Sequence, residues 1–388
     1  MVDRYIHRTM TEVIMESARY FPVITLTGPR QSGKSTLLRH IFTDVPYVSM
    51  ENPDIRMQAK HDPNGFLDSF HNGVIIDEVQ HVPDLLSYIQ GIVDDKPERK
   101  FYLTGSSHFS LLKNVSQSLA GRTAVFELLP LSLTEISDLT GEYSIDSVLY
   151  RGFYPAIWSG KNIPKLLYPN YIKTYLERDV RDLLAIKDLD LFQRFIRLCA
   201  ARIGSIFNAS ELSNELGVAV NTINSWLSVL QASYIIYLLP PFFTNTRKRL
   251  TKSPKLYFTD SGLASYLLDI DSPEMMNRDK MRGHLFENMI IMNFLKNRLN
   301  QGKEGGLYFY RDSNGNEVDL LVREGMQYDC YEIKSALTFH LDFTKGLLNF
   351  EKTYPALVRH RTIIFAGESR PDYAGVRICN FKELEGNS

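Results

Sequence analysis

Two groups of residues in this chain have the types and spacing that phosphate chemistry requires. The first is Gly28-Pro29-Arg30-Gln31-Ser32-Gly33-Lys34-Ser35-Thr36, a GxxxxGKS loop set between an apolar β-branched run (VITLT, 23–27) and an apolar helical pattern (LLRHIF, 37–42). Glycines at both ends of such a loop let the backbone wrap an anion, and the N–H groups that open the next helix point at it. Lys34 is long enough to reach β- and γ-phosphates, and the Ser35 hydroxyl is a ligand for Mg²⁺. Gly28 to Thr36 are therefore expected to contact a nucleoside triphosphate, ATP. The second group lies in the last third: Glu287, Asp319 and the pair Glu332-x-Lys334. Carboxylates of this kind hold Mg²⁺ or Mn²⁺, and the lysine orients an attacking water or stabilises charge building on phosphorus.

Hydrolysis of a bound triphosphate needs acidic groups beside the loop. GVIIDEVQ (73–80) supplies them as a short buried strand ending in two carboxylates. Asp77 is placed to hold Mg²⁺, directly or through water, and Glu78 to polarise the attacking water as general base. A further strand, KFYLT (100–104), ends in Gly105-Ser106-Ser107. These hydroxyls fall at the C-terminal edge of the sheet, where ligands of open α/β folds bind. Ser106 is the expected γ-phosphate sensor, although serines at strand ends also serve as helix caps.

The second group needs a different scaffold. In HLFENMIIMNFLKNRL (284–299), Glu287 shares its helix face with Ile290, Ile291 and Phe294, so its carboxylate must be paired or bound to something. Strands at Leu307 to Arg311 and Glu317 to Val322, joined through Asn314-Gly315, form a hairpin that carries Asp319. Alternation in YDCYEIKS puts Glu332 and Lys334 on one side of a third strand. A helix near Phe343 to Glu351 and the strand RTIIFAG (361–367) complete an αβββαβ core. These are the parts of a PD-(D/E)xK-type nuclease site, with Val318 where the motif's proline would stand. The competing expectation is a degenerate nuclease fold whose carboxylates are held in ion pairs.

Between the two groups, strand–helix alternation stops near Ser144. Lys165 to Leu184 and Phe192 to Arg202 read as amphipathic helices. In NASELSNELGVAVNTINSWLSVLQAS (208–233), Asn208 with Glu211 reads as a capping box and Gly217 as the turn. Ile223, Leu227 and Leu230 mark the inner face of a second helix. YIIYLL (234–239) and KLYFTD (255–260) then pair as strands, the pattern of a winged helix-turn-helix. Its second helix would expose Asn221, Thr222, Asn224 and Ser225 to base edges. Its wing carries Arg247, Lys248, Arg249, Lys252 and Lys255 for phosphates. A lid or protein-docking module fits the same pattern. Residues 272–284 are polar and read as a linker.

The 388 residues suffice for two or three domains. A net charge of −1 means that nucleic-acid contact must come from local basic patches. Three widely spaced cysteines suggest neither a disulfide frame nor a zinc cluster, and fit a reducing cytoplasm. No run approaches the ~18 apolar residues of a membrane span. The N-terminal residues do not form a signal peptide; Ile6, Met10, Val13 and Ile14 instead mark one face of a packed helix.

GPRQSGKST, IIDEVQ, LTGSS and LAGRTAVFELLPLSLTEI together resemble one group of AAA+ ATPases of bacteria and archaea, in which the ATPase is fused to a further C-terminal region. The similarity continues through YLERDVRDL, KSPKLYFTDSGLA and the far C-terminus. It implies an arginine that completes the ATP site, often from a neighbouring subunit. Arg122 in LAGR is the best match, with Arg178 and Arg181 behind it, and an arginine at such places equally forms surface ion pairs. The expected fold class is α/β: a P-loop AAA+-like parallel-sheet domain (1–143), a helical segment (144–205), a winged helix-turn-helix (206–271) and a restriction-endonuclease-like α/β domain (272–388). The expected activity is Mg²⁺-dependent ATP hydrolysis acting on nucleic acid, DNA in particular, with ATP-gated, metal-dependent cleavage at the C-terminal site. An ATP-driven binding switch and a protein remodeller are the alternatives, with self-association or a protein partner.

Overall fold

Val23–Thr27 is apolar and β-branched because every one of its residues is buried, and it is the strand on which the first site is built. The computed structural model describes residues 5–106, 115, 118–141, 143–175, 188–244 and 253–386. They fall into two compact units: one of Met1–Leu131 with Ala232–Tyr234 and Arg298–Lys303, the other of Ser132–Gln231, Ile235–Asn297 and Glu304–Ser388.

In the first unit, β1 (Val23–Thr27), β2 (Tyr47–Ser49), β3 (Gly73–Asp77), β4 (Lys100–Gly105) and β5 (Thr123–Glu127) form a sheet in the order β2-β3-β4-β1-β5. All of its pairings are parallel. A parallel sheet must be covered on both faces, which explains the continuous apolar runs of its central strands. Helix α1 (Thr11–Tyr20) precedes β1 and α2 (Lys34–Ile41) follows it. Helix α3 (Leu85–Asp95) buries Leu85, Leu86, Ile89 and Val93 against Val74, Ile76, Phe101 and Leu103. Burying such side chains contributes roughly 1.5–3 kcal/mol each. Ile6, Met10 and Ile14 are buried as their spacing suggests, although only Ile14 lies within α1.

In the second unit, α4 (Ala209–Leu216) and α5 (Val220–Ala232) are joined through Gly217, whose φ of +68° suits glycine. Asn208 caps α4 by accepting from the amides of Ser210 and Glu211. The reciprocal half of the expected box is replaced, because Glu211 pairs with Arg202 at 3.3 Å. Strands β6 (Ile236–Leu239) and β7 (Lys255–Phe258) follow as an antiparallel pair. The first of the two amphipathic segments is helical over Pro164–Tyr175, its remainder lying outside the described residues, and the second over Leu189–Ala200.

The six-stranded C-terminal sheet comprises β8 (Leu307–Arg311), β9 (Glu317–Glu324), β10 (Gln327–Lys334), β11 (Val358–Phe365), β12 (Arg370–Tyr373) and β13 (Val376–Asn380), in the order β12-β13-β11-β10-β9-β8. Helix α6 (Arg282–Asn300) precedes it, and α7 (Lys345–Thr353) packs Leu347 and Phe350 against Val318, Leu321, Ile363 and Phe365. The expected strands are all present, and β12 and β13 extend the sheet. The stretch 272–284 is not a plain linker. Pro273–Arg278 is a helix whose start is capped by Ser272, accepting from the Met275 amide, with the proline in its first turn. The hairpin β6–β7 is fastened to the C-terminal sheet: the Phe309 amide donates to Pro240 O at 3.1 Å and the Phe242 amide to Phe309 O at 2.6 Å. No helix among the described residues is long and apolar enough to cross a membrane. The three cysteines are free and buried.

Candidate functional site

The loop after β1 is shaped by its glycines. Gly28 has φ +141°, and a Cβ there would stand 2.2 Å from Leu128 O, so no other residue fits. Gly33, at φ +96°, precedes α2 without a side-chain cap, which leaves the first-turn N–H groups of that helix without a side-chain acceptor. Gln31 is also left-handed, at φ +62°. The Ser32 hydroxyl is buried with no hydrogen-bond partner among the described residues. Lys34 is buried and donates to Gly28 O at 2.9 Å and Pro29 O at 2.8 Å, holding it across the mouth of the loop. Pro29 is buried, Arg30 partly so, and Thr36 is exposed on α2.

Beside the loop, the Ser35 hydroxyl donates to Asp77 Oδ1 at 2.6 Å. Sheet order explains the meeting: β4 lies between β1 and β3, and the C-terminal ends of all three open to one edge. Thr104, on that intervening strand, donates to Asp77 Oδ1 and accepts from the Glu78 amide at 3.2 Å. Glu78 itself sits at φ +55°, an unusual backbone state for a glutamate and one concentrated at functional sites. Its Oε2 accepts from Ser106 Oγ at 3.0 Å and from Gln80 Nε2. Tyr47 donates to Asp77 Oδ2 at 2.8 Å, and burial together with that carboxylate pushes its phenol up to about 12.

The structure thus brings together Lys34, Ser35, Asp77, Glu78 and Ser106. It adds Thr104, Tyr47, Gln80 and Arg8, which the spacing of motifs did not single out. Arg8 is buried and donates to Ser32 O and Leu129 O, each at 2.7 Å, bracing the loop from beneath. Arg122 is not in this group. It precedes β5, at the opposite end of the strands, and makes a two-pronged contact to Asp94 at 2.5 and 2.8 Å. Arg178, Arg181 and Ser107 lie outside the described residues.

In the second unit, Asp319 on β9 accepts at Oδ2 from the Ile333 amide at 2.8 Å and from Lys334 Nζ at 3.4 Å. Lys334 also pairs with Glu332 Oε1 at 2.6 Å, so the two residues that alternation placed on one side do meet. Gly346, at the start of α7, allows the helix to approach: a Cβ there would be 2.1 Å from Glu317 O. Glu287, expected to need a partner, has two from β7. Tyr257 OH donates to its Oε1 at 2.5 Å, and Lys255 Nζ lies 3.5 Å from the same atom. Lys255 also pairs with Glu317. It is only 3% exposed, so the expectation of a phosphate-contacting wing lysine is corrected: its ammonium is spent on buried carboxylates. Arg247, Lys248, Arg249 and Lys252 lie outside the described residues. Asn221, Asn224 and Ser225 are exposed on α5, with Thr222 half-buried.

Burial and the charge of Asp319 push Glu332 up to about 8 and raise Glu287 as well. Burial opposes the charge on Lys255 and Lys334, but the surrounding carboxylates outweigh it and hold both above the usual range. Each carboxylate has one oxygen held by the protein. The Oε2 of Glu332 is buried and unpartnered. Such half-satisfied carboxylates suit a hard divalent cation. Among the described residues, however, no three His, Cys, Asp or Glu side chains are gathered closely enough to hold an ion as they stand. The expected trio Glu287, Asp319 and Glu332 is therefore not a finished metal site, because lysines stand between its members.

Three family models match consecutive segments: an AAA domain over residues 20–137, a domain of unknown function (DUF8612) over 142–274 and another (DUF4143) over 282–384. Uncharacterised proteins of Mycobacterium tuberculosis and Mycobacterium bovis are each 32% identical over 324 residues, covering 82% of this chain and 71% of theirs. One from Methanocaldococcus jannaschii is 26% identical over 342 residues, covering 79% and 74%. Among solved structures, a Walker-type ATPase of Pyrococcus abyssi aligns with a TM-score of 0.47 at 15% identity, over 67% of this chain and 94% of that one.

Proposed function

We propose, for a chain that belongs to the family of these mycobacterial proteins and whose N-terminal domain is an AAA-type P-loop ATPase, that ATP hydrolysis there controls a nucleic-acid-processing site in the C-terminal unit. The observation that carries the ATPase half is the chain of contacts Ser35–Asp77–Thr104–Glu78, with Ser106 on Glu78. Lys34 and the loop amides would hold the phosphates, and Ser35 and Asp77 the Mg²⁺. Magnesium, when bound, would neutralise charge on the β- and γ-oxygens. Glu78, oriented through its Oε2 by Ser106 and Gln80, would take the proton of the attacking water at its carboxylate.

For the C-terminal unit we assign Glu287, Asp319 and Glu332 to one divalent cation and Lys334 to the scissile phosphate. The half-satisfied carboxylates support this assignment, above all the buried, unpartnered Glu332 Oε2. A cation there requires Lys334 to leave Glu332, which also frees its ammonium for substrate. Nucleic acid as the substrate draws support from Asn221, Asn224 and Ser225, types suited to base edges, exposed on the second helix of a winged-helix-like motif. A second reading, a binding switch whose C-terminal fold cuts nothing, is favoured by the complete lysine pairing of those carboxylates.

The test is cleavage of labelled single- and double-stranded DNA and RNA, with Mg²⁺ or Mn²⁺ and with or without ATP. Cutting that disappears in Asp319→Ala, and changes its ATP dependence in Lys34→Ala, is the expected result. No cutting of any substrate by a chain that hydrolyses ATP would select the binding switch.

A further inference from the structure

Arg8 is 3% exposed, and a buried guanidinium has to find acceptors for its donors. It reaches two backbone oxygens at 2.7 Å each, Ser32 O through one terminal nitrogen and Leu129 O through the other. Ser32 belongs to the phosphate-binding loop, and Leu129 to the chain leaving β5. That same stretch supports the other end of the loop. The Leu128 amide donates to Thr27 O at 2.8 Å, and a Cβ on Gly28 would stand 2.2 Å from Leu128 O. Both ends of the loop are thus set against residues 128–129, Gly28 by direct backbone approach and Ser32 through Arg8. Arg8 is itself held from outside the loop. Its carbonyl accepts from the Thr11 amide at 3.1 Å and the Thr11 hydroxyl at 2.6 Å, at the start of α1. Nearby, Tyr5 stacks on His40 of α2 with ring centres 3.5 Å apart. A trans peptide unit is planar, so its C=O and N–H point in opposite directions. With Ser32 O turned onto Arg8, the Gly33 N–H points away from the guanidinium, and among the described residues it has no acceptor. Left-handed residues flank Ser32, Gln31 at φ +62° and Gly33 at φ +96°, a backbone form that gathers amides into an anion-binding hollow.

We infer that Arg8 is a positioning residue of the nucleotide site. By holding Ser32 O it fixes the plane of the Ser32–Gly33 peptide, so that the Gly33 N–H is already aimed at the phosphates when nucleotide arrives. This role rests on the nucleotide-binding reading of the loop and extends it to a residue upstream of α1 that touches no reacting atom. Loop amides of this kind cradle the α- and β-phosphates, which ATP and ADP share. Arg8 therefore acts on the binding of both nucleotides, before hydrolysis as much as during it. Its planar fork is the working part, because an ammonium is a compact, rotatable head without that fixed geometry.

The experiment titrates the full-length chain with a fluorescent ADP analogue and follows ATP turnover on the same samples, for the parent, Lys34→Ala, Arg8→Met and Arg8→Lys. Arg8→Met is expected to bind at the parent's stoichiometry but about 10-fold or more weaker, the loss of one hydrogen bond to a charged group. Its KM for ATP should rise by a similar factor, with most of the turnover at saturating ATP retained. Arg8→Lys is expected to behave as Arg8→Met does. Should Arg8→Met fail to fold, Arg8→Lys decides the matter, since it keeps a cation and a donor. An arginine that served folding alone would lower the fraction of chains that bind and leave the affinity of the remainder unchanged, and that result would overturn the inference. Parent-like affinity in Arg8→Lys would also overturn it, by showing that charge suffices. Analogue binding that is absent from the parent, or indifferent to Lys34→Ala, would instead overturn the nucleotide-binding reading and the inference with it.

Discussion

The nucleotide site and the C-terminal carboxylate cluster, both proposed here for phosphate chemistry, are built in opposite ways. At the first, Asp77 and Glu78 are held by neutral hydroxyls and an amide, from Ser35, Thr104, Tyr47, Ser106 and Gln80. Neutral donors orient a carboxylate without cancelling its charge. At the second, Glu287, Glu317, Asp319 and Glu332 are paired with Lys255 and Lys334. There the charge is already compensated. Carboxylates organised by hydroxyls keep their charge; those organised by lysines have it closed in ion pairs.

That contrast makes Lys255 the most costly residue to lose. Removing one partner of a buried ion pair strands the others, so Lys255→Met is expected to destabilise the second unit by about 3–5 kcal/mol in a denaturant titration. Arg122→Met, which removes an exposed pair with Asp94, is expected to leave the same curve unmoved. Next in size is Lys34→Ala. Loss of a preorganised cation at the phosphates is expected to lower ATP turnover about 10²–10³-fold, without altering the melting of the protein. An unmoved rate would place the chemistry elsewhere.

Thr104→Val probes the neutral donors. It leaves the Glu78 amide without its acceptor, at about 1–3 kcal/mol, takes from Asp77 Oδ1 one of its two donors, and is expected to lower both stability and turnover. Smallest is a pH effect at the closed site. Burial, reinforced by Asp319, raises Glu332 from 4.5 to about 8, so the folded chain binds more protons than the unfolded one between those values. Its contribution to stability is full below about pH 4.5 and fades as pH rises through about 8. In metal-free buffer Glu332→Gln should flatten that slope; a slope unchanged by the substitution would count against closure by charge.

The two sites also differed in how far they could be read from sequence. The nucleotide site is encoded locally: a glycine loop between a strand and a helix, then an acidic strand end, each a short word with one geometric meaning. Arg8 and Tyr47 act from outside those words, and Thr104 belongs to none of them: only the sheet order brings its hydroxyl to Asp77. At the C-terminal site, strand alternation correctly brought Glu332 to Lys334, and the apolar helix face correctly demanded a partner for Glu287. The partner could not be named. Lys255 stands at the end of a basic run, where composition suggests solvent, and only the docking of β7 against α6 buries it. The polar stretch at 272–284 misled for a related reason: Ser272-Pro273 is a helix start, and its surface polarity masked that signal.

The measurement to make first is ATP turnover by Glu78→Gln beside wild type, with binding of a fluorescent ATP analogue followed on the same samples. The proposed assignment gives Glu78 the proton transfer and leaves binding to the loop. Analogue affinity should therefore match wild type while turnover falls about 10²–10⁴-fold. A Glu78→Gln chain that hydrolyses ATP at the wild-type rate would contradict the assignment of this edge of the sheet as the hydrolytic centre.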